Sequence, residues 1–206
     1  MIITKIEPFD KNCSRYAIYI DSEPAFVLYK GEIKQLKLNE NCTLDEAAYQ
    51  SILEEILIPR AKKRGMNLLM KSDRTEADVR GKLRSGGYPN EAIDAAIAYL
   101  ISFKYIDDSR YAEEYIRFKS QSQSVRQIKL KLTEKGIDKA LIEKAIANHE
   151  TDNQNSECAL IERLINKRCK GNISNQSYEE KQKLFAYLYN KGFRISDIEK
   201  VYNNLT

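Results

Sequence analysis

The sequence predicts a mainly α-helical protein: three tandem three-helix repeats in an elongated array, preceded by a small N-terminal three-stranded β-meander. Three observations lead to this class. The first thirty residues contain β-branched and aromatic runs broken by turn residues, the remainder has helical periodicity, and three windows of that helical part align without a gap. The expected domains are residues 1–59, for the sheet and a covering helix, and repeats at residues 60–104, 105–150 and 151–206.

The β-meander is predicted from three short runs, Ile2 to Ile6, Tyr16 to Ile20 and Ala25 to Tyr29. Turn-forming residues, including Pro8 and Pro24, are expected to separate them. A sheet of this size is marginal alone and needs a helix over one face.

The covering helix is expected to follow the sheet directly. Residues Thr43 to Glu46 have the Thr-x-x-Glu form of a capping box, which predicts a helix start. Pro59 should end or kink this helix because proline lacks the amide donor and clashes with the preceding turn.

Each repeat is predicted to end its second helix in the same way. In the aligned windows a leucine is followed four residues later by a glycine, and a large apolar residue comes next. A glycine just past a helix end enters the left-handed conformation at low cost, and the apolar residue can fold back on the leucine. The three sets are Leu83, Gly87 and Tyr88; Leu132, Gly136 and Ile137; and Leu188, Gly192 and Phe193.

The other helical signals agree with these ends. Capping boxes begin at Thr75, Ser124 and Ser177. The helix after each glycine has an apolar pair four residues apart, which predicts a buried stripe. These pairs are Ile93 and Ile97, Ile142 and Ile146, and Ile198 and Tyr202; the third helices are expected at about residues 60–71, 108–121 and 156–170.

The composition predicts a soluble chain with no chemistry of its own. No apolar run reaches the roughly 18 residues of a membrane span and no signal segment opens the chain, so we expect a cytoplasmic location without membrane contact. Four scattered cysteines and a single histidine offer no metal site. Phosphate-binding loops and zinc-hydrolase motifs are missing from the sequence, so no catalytic residue and no cofactor is expected.

Four motifs in order resemble the RecX family of recombination regulators. They are an Arg-Thr-Glu start at Arg74, a Lys-Leu to Gly-Tyr helix end from Lys82 to Tyr88, the run Tyr105-Ile-Asp-Asp-Ser-Arg-Tyr-Ala112, and Leu132-x-x-Lys-Gly-Ile137. The resemblance is strong from Lys62 to Ile146. One departure is Ser124, where many relatives have glycine.

The resemblance implies a non-catalytic regulator that binds the groove of the RecA recombinase filament on DNA and restrains ATP hydrolysis and strand exchange. It places the chain in homologous recombination and DNA repair. We expect weak, sequence-independent DNA contact, and a monomer because no heptad seam is evident. The alternative is a helix-turn-helix-like, sequence-specific DNA-binding regulator, in which a basic second helix reads a major groove.

The basic middle of the chain supplies the candidate contact residues. Residues 60–150 carry 19 basic and 13 acidic side chains, whereas residues 1–59 carry 6 and 10. Such a segment can follow phosphates or an acidic groove; alternatively, its charges are a solvated helix surface paired with Glu76, Asp78 or Glu134. The candidates for filament or DNA contact are Arg74, Arg80, Lys82, Arg84, Arg126, Lys129 and Lys131.

Overall fold

The computed structural model describes residues 1–152, 157–169, 173 and 176–205 of the chain. They form two compact units, Met1–Asp107 and Asp108–Thr206. The predicted class is confirmed: the protein is mainly helical, with a small antiparallel sheet followed by three-helix repeats. Both end residues of the helix predicted over 156–170 lie outside the described residues.

The sheet is antiparallel in the order β1-β2-β3, with β1 at Ile3–Pro8, β2 at Arg15–Ile20 and β3 at Glu23–Tyr29. The prediction that Pro8 and Pro24 separate the strands is wrong. Pro8 is the last residue of β1, and Pro24 lies in β3 beside a register shift. Both strands are at the sheet edges, where proline is tolerated because no ladder amide is lost.

Helices follow the sheet directly: α1 at Lys30–Gln35, α2 at Glu46–Ser51, a π-helical segment at Ile52–Leu57 and α3 at Ile58–Leu69. Pro59 does not end this helical path, because it lies in the first turn of α3. Proline cannot donate to the carbonyl four residues before it, and the wider π-helical turn ahead of it accommodates the missing donor.

The predicted capping box at Thr43 is wrong by two residues. Asp45 is the N-cap of α2, and its carboxylate accepts a hydrogen bond from the Ala48 amide at 2.7 Å. Thr43 instead forms a β-bridge with Ile2. Its backbone is therefore tied to the N-terminal strand region rather than to the helix.

Each predicted repeat contains three helices, of which the last two meet at a glycine turn. In the first, α3 is followed by α4 at Glu76–Arg84 and α5 at Asn90–Ser102. The second has α6 at Asp108–Lys119, α7 at Val125–Glu134 and α8 at Lys139–Asp152. The third has α9 at Glu157–Cys169, α10 at Tyr178–Asn190 and α11 at Ile195–Leu205.

The apolar stripes predicted after the glycines are buried, as are the three leucines. The sheet and the helices α2 to α5 share one core, in which Phe26 of β3 packs 5.9 Å from the ring of Tyr49. The second and third repeats each have a core of their own. The N-terminal sheet is thus held by apolar contacts to the first repeat.

Candidate functional site

The helices α4, α7 and α10 end in the same geometry. The glycines have positive backbone φ angles: +80° at Gly87, +77° at Gly136 and +92° at Gly192. The amide after each glycine donates to the carbonyl of the leucine five residues back. These distances are 3.4 Å from Tyr88 to Leu83, 3.2 Å from Ile137 to Leu132 and 3.4 Å from Phe193 to Leu188. This is the Schellman pattern, which turns the chain between paired helices.

The first glycine turn is also the place where β3 meets the first repeat. The Val27 amide donates to the Gly87 carbonyl at 3.0 Å. A Cβ atom at position 87 would overlap the Val27 side chain. Glycine is therefore needed at this position both for the left-handed backbone and for close approach of the strand.

The start of α7 packs against the third glycine turn. The Ser124 amide donates to the Lys191 carbonyl at 3.0 Å, while the Ser124 hydroxyl caps α7 by accepting from the Gln127 amide at 3.2 Å. A Cβ atom at Gly192 would lie 2.6 Å from Cβ of Gln127 and would overlap the Ser124 hydroxyl. This contact joins the second and third repeats.

Three of the candidate basic residues form ion pairs within the protein. Arg80 donates to Glu76 at 2.6 Å and to Asp94 at 2.5 Å, and the bond to Asp94 is the main cause that raises the pKa of its guanidinium. Lys129 contacts Glu143 at 2.9 Å. Lys131 contacts Glu134 at 2.8 Å, and this hydrogen bond raises the pKa of the lysine.

Two of these pairs occupy equivalent positions in successive repeats. Arg80 with Asp94 joins α4 to α5, Lys129 with Glu143 joins α7 to α8, and each pair spans 14 residues. The sequence predicts only nearer carboxylates, Glu76, Asp78 and Glu134, as partners. The signal that could have found Asp94 and Glu143 is that they align with each other at the same 49-residue offset as the glycines.

Three other candidates have their charge directed to solvent. Lys82, Arg84 and Arg126 are exposed, and none of them forms an ion pair within the described ranges. Arg74 differs, because it is partly buried and its Nε atom has no hydrogen-bond partner among the described groups. It precedes Thr75, the buried N-cap of α4.

The first glycine turn does not provide a basic second helix. Helix α5, which follows this turn, carries Glu91 and Asp94 but no lysine or arginine. A helix that enters a major groove has to approach two rows of phosphates, which favours basic side chains. The first repeat therefore lacks the charge pattern of a helix-turn-helix reader.

The described residues contain neither a metal-binding cluster nor a membrane-spanning helix. No group of three or more histidine, cysteine, aspartate or glutamate side chains in this part of the chain is placed to hold a metal ion. Among the same residues, no helix has the length and apolar character required to cross a bilayer.

The glycine-linked helix pairs and the basic side chains on α4 and α7 define a helical-repeat protein. Comparison with known families assigns each repeat. Residues 61–100 match the first three-helix domain of RecX, residues 107–146 the second and residues 155–202 the third. The chain belongs to the RecX family.

Relatives and solved structures agree over most of the chain. "Regulatory protein RecX" of Clostridium acetobutylicum is 32% identical over 97% of this chain and 94% of its own length. The protein of the same name from Caldanaerobacter subterraneus subsp. tengcongensis is 31% identical, covering 98% and 99%. A crystal structure of regulatory protein RecX, 27% identical, matches 98% of both chains with a TM-score of 0.59. That of RecX from Lactobacillus salivarius, 28% identical, covers 72% of this chain and 96% of its own, with a TM-score of 0.56.

Proposed function

We propose that this chain binds the RecA–DNA nucleoprotein filament and inhibits its ATPase, recombinase and strand-exchange activities, without catalysing a reaction itself. The observation that carries the proposal is the match of all three repeats, in order, to the three RecX domains. The relatives named above are called regulatory proteins. We further propose that the chain acts in the cytoplasm as a monomer.

The charge pattern supports docking on an anionic surface. Lys82, Arg84 and Arg126 are exposed and form no ion pair with the described carboxylates, so a partner can contact them without breaking an existing pair. Phosphates or acidic side chains of a filament would supply that partner, and phosphate contacts would release counterions. We therefore propose these three residues as the first contacts.

Direct contact with the filament is less favourable for the ion-paired residues Arg80, Lys129 and Lys131. Arg80 would have to exchange two carboxylates for a new anion, and Lys129 and Lys131 one each. Exposed ion pairs are weak, so such an exchange is possible but gains less free energy than contact by an unpaired charge. We retain these three and Arg74 as secondary candidates for the contact surface.

Two triple variants separate these groups. One carries Lys82→Ala, Arg84→Ala and Arg126→Ala; its matched control carries Arg80→Ala, Lys129→Ala and Lys131→Ala, which removes the same formal charge. The readout is the DNA-dependent ATPase activity of RecA, titrated with each protein. The first variant should need at least about ten times more protein for half inhibition, whereas the control should stay within about threefold of the unmodified chain.

Circular dichroism should show equal helix content in both variants. Equal losses of inhibition would contradict the assignment of the contact surface. If the unmodified chain leaves the ATPase rate of RecA unchanged across a wide titration, the proposed function itself is contradicted.

A further inference from the structure

Tyr88 lies where the sheet meets the first repeat, and its hydroxyl has no partner there. The residue follows Gly87, whose carbonyl accepts the Val27 amide at 3.0 Å, and a Cβ atom at position 87 would lie 3.5 Å from the ring of Phe9. Tyr88 is partly buried, but its hydroxyl forms no hydrogen bond within the described ranges. A tyrosine hydroxyl beside a core usually has a partner. This one is therefore an unused donor at the junction.

Arg15 adds further unused donors. Its guanidinium carbon lies 5.2 Å from the centroid of the Phe9 ring, and its Nε atom donates to Asp10 at 2.9 Å. The two terminal amino groups of Arg15 form no hydrogen bond with the part of the chain that the structure describes. Phe9 is 38% exposed and the Arg15 side chain 34%, so a ligand can reach both the ring and these donors.

Two more arginines approach the junction from α3. The Arg60 guanidinium carbon lies 4.8 Å from the centroid of the exposed Tyr29 ring, and the same guanidinium pairs with Glu32. Arg64, one helical turn further on, is exposed and forms no ion pair with any described carboxylate. The α3 side of the junction thus repeats the combination of an exposed ring and an arginine.

The three arginines act on the Tyr88 hydroxyl. Burial raises the pKa of this hydroxyl, whereas the charges of Arg60, Arg64 and Arg15 act to lower it. Three arginines and their two carboxylate partners leave a net charge of +1. One added carboxylate would neutralise this charge, whereas a chain of many phosphates would be brought against two fixed carboxylates. We call the following residues the Tyr88 surface: Phe9, Arg15, Tyr29, Arg60, Arg64 and Tyr88.

We infer that the Tyr88 surface binds an acidic peptide segment of a protein partner. A carboxylate of the peptide would accept hydrogen bonds from the Tyr88 hydroxyl and from Arg15, and such charge-assisted bonds are the stronger kind. Apolar side chains beside that carboxylate would pack on the rings of Phe9 and Tyr29. Exposed tyrosine and arginine together are typical of protein interfaces. The inference does not rest on the proposed function, because the surface contains none of the proposed filament contacts.

A peptide titration tests this surface. The probe is a fluorescein-labelled peptide of alternating aspartate and leucine, and its binding is followed by fluorescence anisotropy. Arg15→Ala combined with Arg64→Ala should weaken its affinity by about fivefold or more, the scale of two lost charged contacts. The matched control is Lys183→Ala combined with Lys200→Ala, which removes the same charge from exposed sites of the third repeat. Its affinity should stay within about twofold of that of the unmodified chain.

Tyr88→Phe distinguishes binding from a structural role. It keeps the partly buried ring and removes only the hydroxyl, so the thermal midpoint should be unchanged while peptide affinity falls by about threefold. Two altered peptides test the chemistry of the ligand. One with lysine in place of each aspartate should not bind. One with glycine in place of each leucine should bind more weakly than the original, because the two exposed rings lose their partners.

The inference is overturned if the unmodified chain does not bind the aspartate-leucine peptide, or if the two double variants lose affinity equally. It is also overturned if Tyr88→Phe binds as tightly as the unmodified chain, or if the glycine peptide binds as tightly as the leucine peptide. A thymidine oligonucleotide that displaces the peptide, and whose own binding is lost with Arg15 and Arg64, would assign the surface to nucleic acid instead. These assays contain no recombinase, so failure of the proposed function would leave their outcome unaffected.

Discussion

The first two repeats and the third join equivalent helices by different interactions. In the first two, a basic residue pairs with a carboxylate 14 positions later, Arg80 with Asp94 and Lys129 with Glu143. In the third repeat the aligned position is Phe185, whose ring packs edge-on against Tyr202 at 5.5 Å. The Lys181 ammonium lies 5.5 Å from the Phe185 ring and 4.7 Å from the Tyr202 ring.

This difference separates what the fold requires from what it leaves variable. All three repeats keep the leucine, the left-handed glycine and the buried apolar residues, because the turn between the paired helices depends on them. The side-chain contact that links the same two helices beyond the turn can be ionic, as in the first two repeats, or aromatic, as in the third. Surface ion pairs contribute little stability, so the first two repeats can carry charge at this position for other purposes.

The largest effect is expected where the shared turn is broken. Gly87→Val should lower the free energy of unfolding by about 3 kcal/mol, because it adds left-handed strain to an overlap with Val27. Gly136→Val should cost at least about 1 kcal/mol from left-handed strain. Denaturant unfolding followed by circular dichroism measures both losses.

Gly81→Ala is the matched control for these glycine variants. This residue lies within α4, and a Cβ atom there would meet nothing within 4 Å. Alanine should therefore stabilise the protein, by up to about 1 kcal/mol. If Gly87→Val and Gly136→Val are as stable as the unmodified chain, the turns do not have the role given to them here.

An intermediate effect is expected at the aromatic contact of the third repeat. Phe185→Ala should cost about 2 kcal/mol, because it removes a partly buried ring and its contact with Tyr202. Thermal unfolding is the measurement, and Tyr178→Ala, at an exposed aromatic residue of the same helix, is the control. A loss at position 185 no larger than that of the control would mean that the ring contact does not hold α10 to α11.

The smallest effect is expected at the equivalent ionic contact. A double-mutant cycle with Arg80→Ala and Asp94→Ala should give a coupling of about 0.5 kcal/mol, because both side chains are partly exposed. The coupling should shrink in 1 M salt. A coupling above about 2 kcal/mol, insensitive to salt, would show that the ionic contact is as important to stability as the aromatic one.

The shared turn was predictable because its chemistry is local. A glycine that follows a leucine by four residues and precedes an apolar residue satisfies the geometry of a helix end within one short window. The stripe from Ile93 to Ile97 was likewise visible from helical periodicity, and both residues are buried. Local hydrogen bonding and periodicity thus determined the helical part of the prediction.

Contacts between distant segments were not predictable in the same way. Nothing near Gly87 in the sequence indicates that Val27 of β3 packs on it, and nothing near Gly192 indicates Ser124. Such pairings depend on how whole elements dock. The basic residues of α4 were equally hard to sort from sequence. Periodicity places Arg80 and Lys82 on one helix, but it does not show that Arg80, unlike Lys82, has two carboxylates within reach.

The start of α2 was missed for a different reason. Both Thr43 and Asp45 are good N-cap residues, and the sequence favoured Thr43 because Glu46 completes a capping box. In the structure, the β-bridge between Thr43 and Ile2 removes Thr43 from the helix. A long-range backbone contact therefore decided between two locally acceptable starts.

Co-sedimentation with RecA filaments tests the central claim most directly. Filaments assembled on single-stranded DNA with a slowly hydrolysed ATP analogue are pelleted in the presence of this protein, with free RecA and with DNA alone as controls. The protein should pellet with the filament at low molar ratio, far more than with either control. Protein that stays in the supernatant while intact filaments pellet would contradict it.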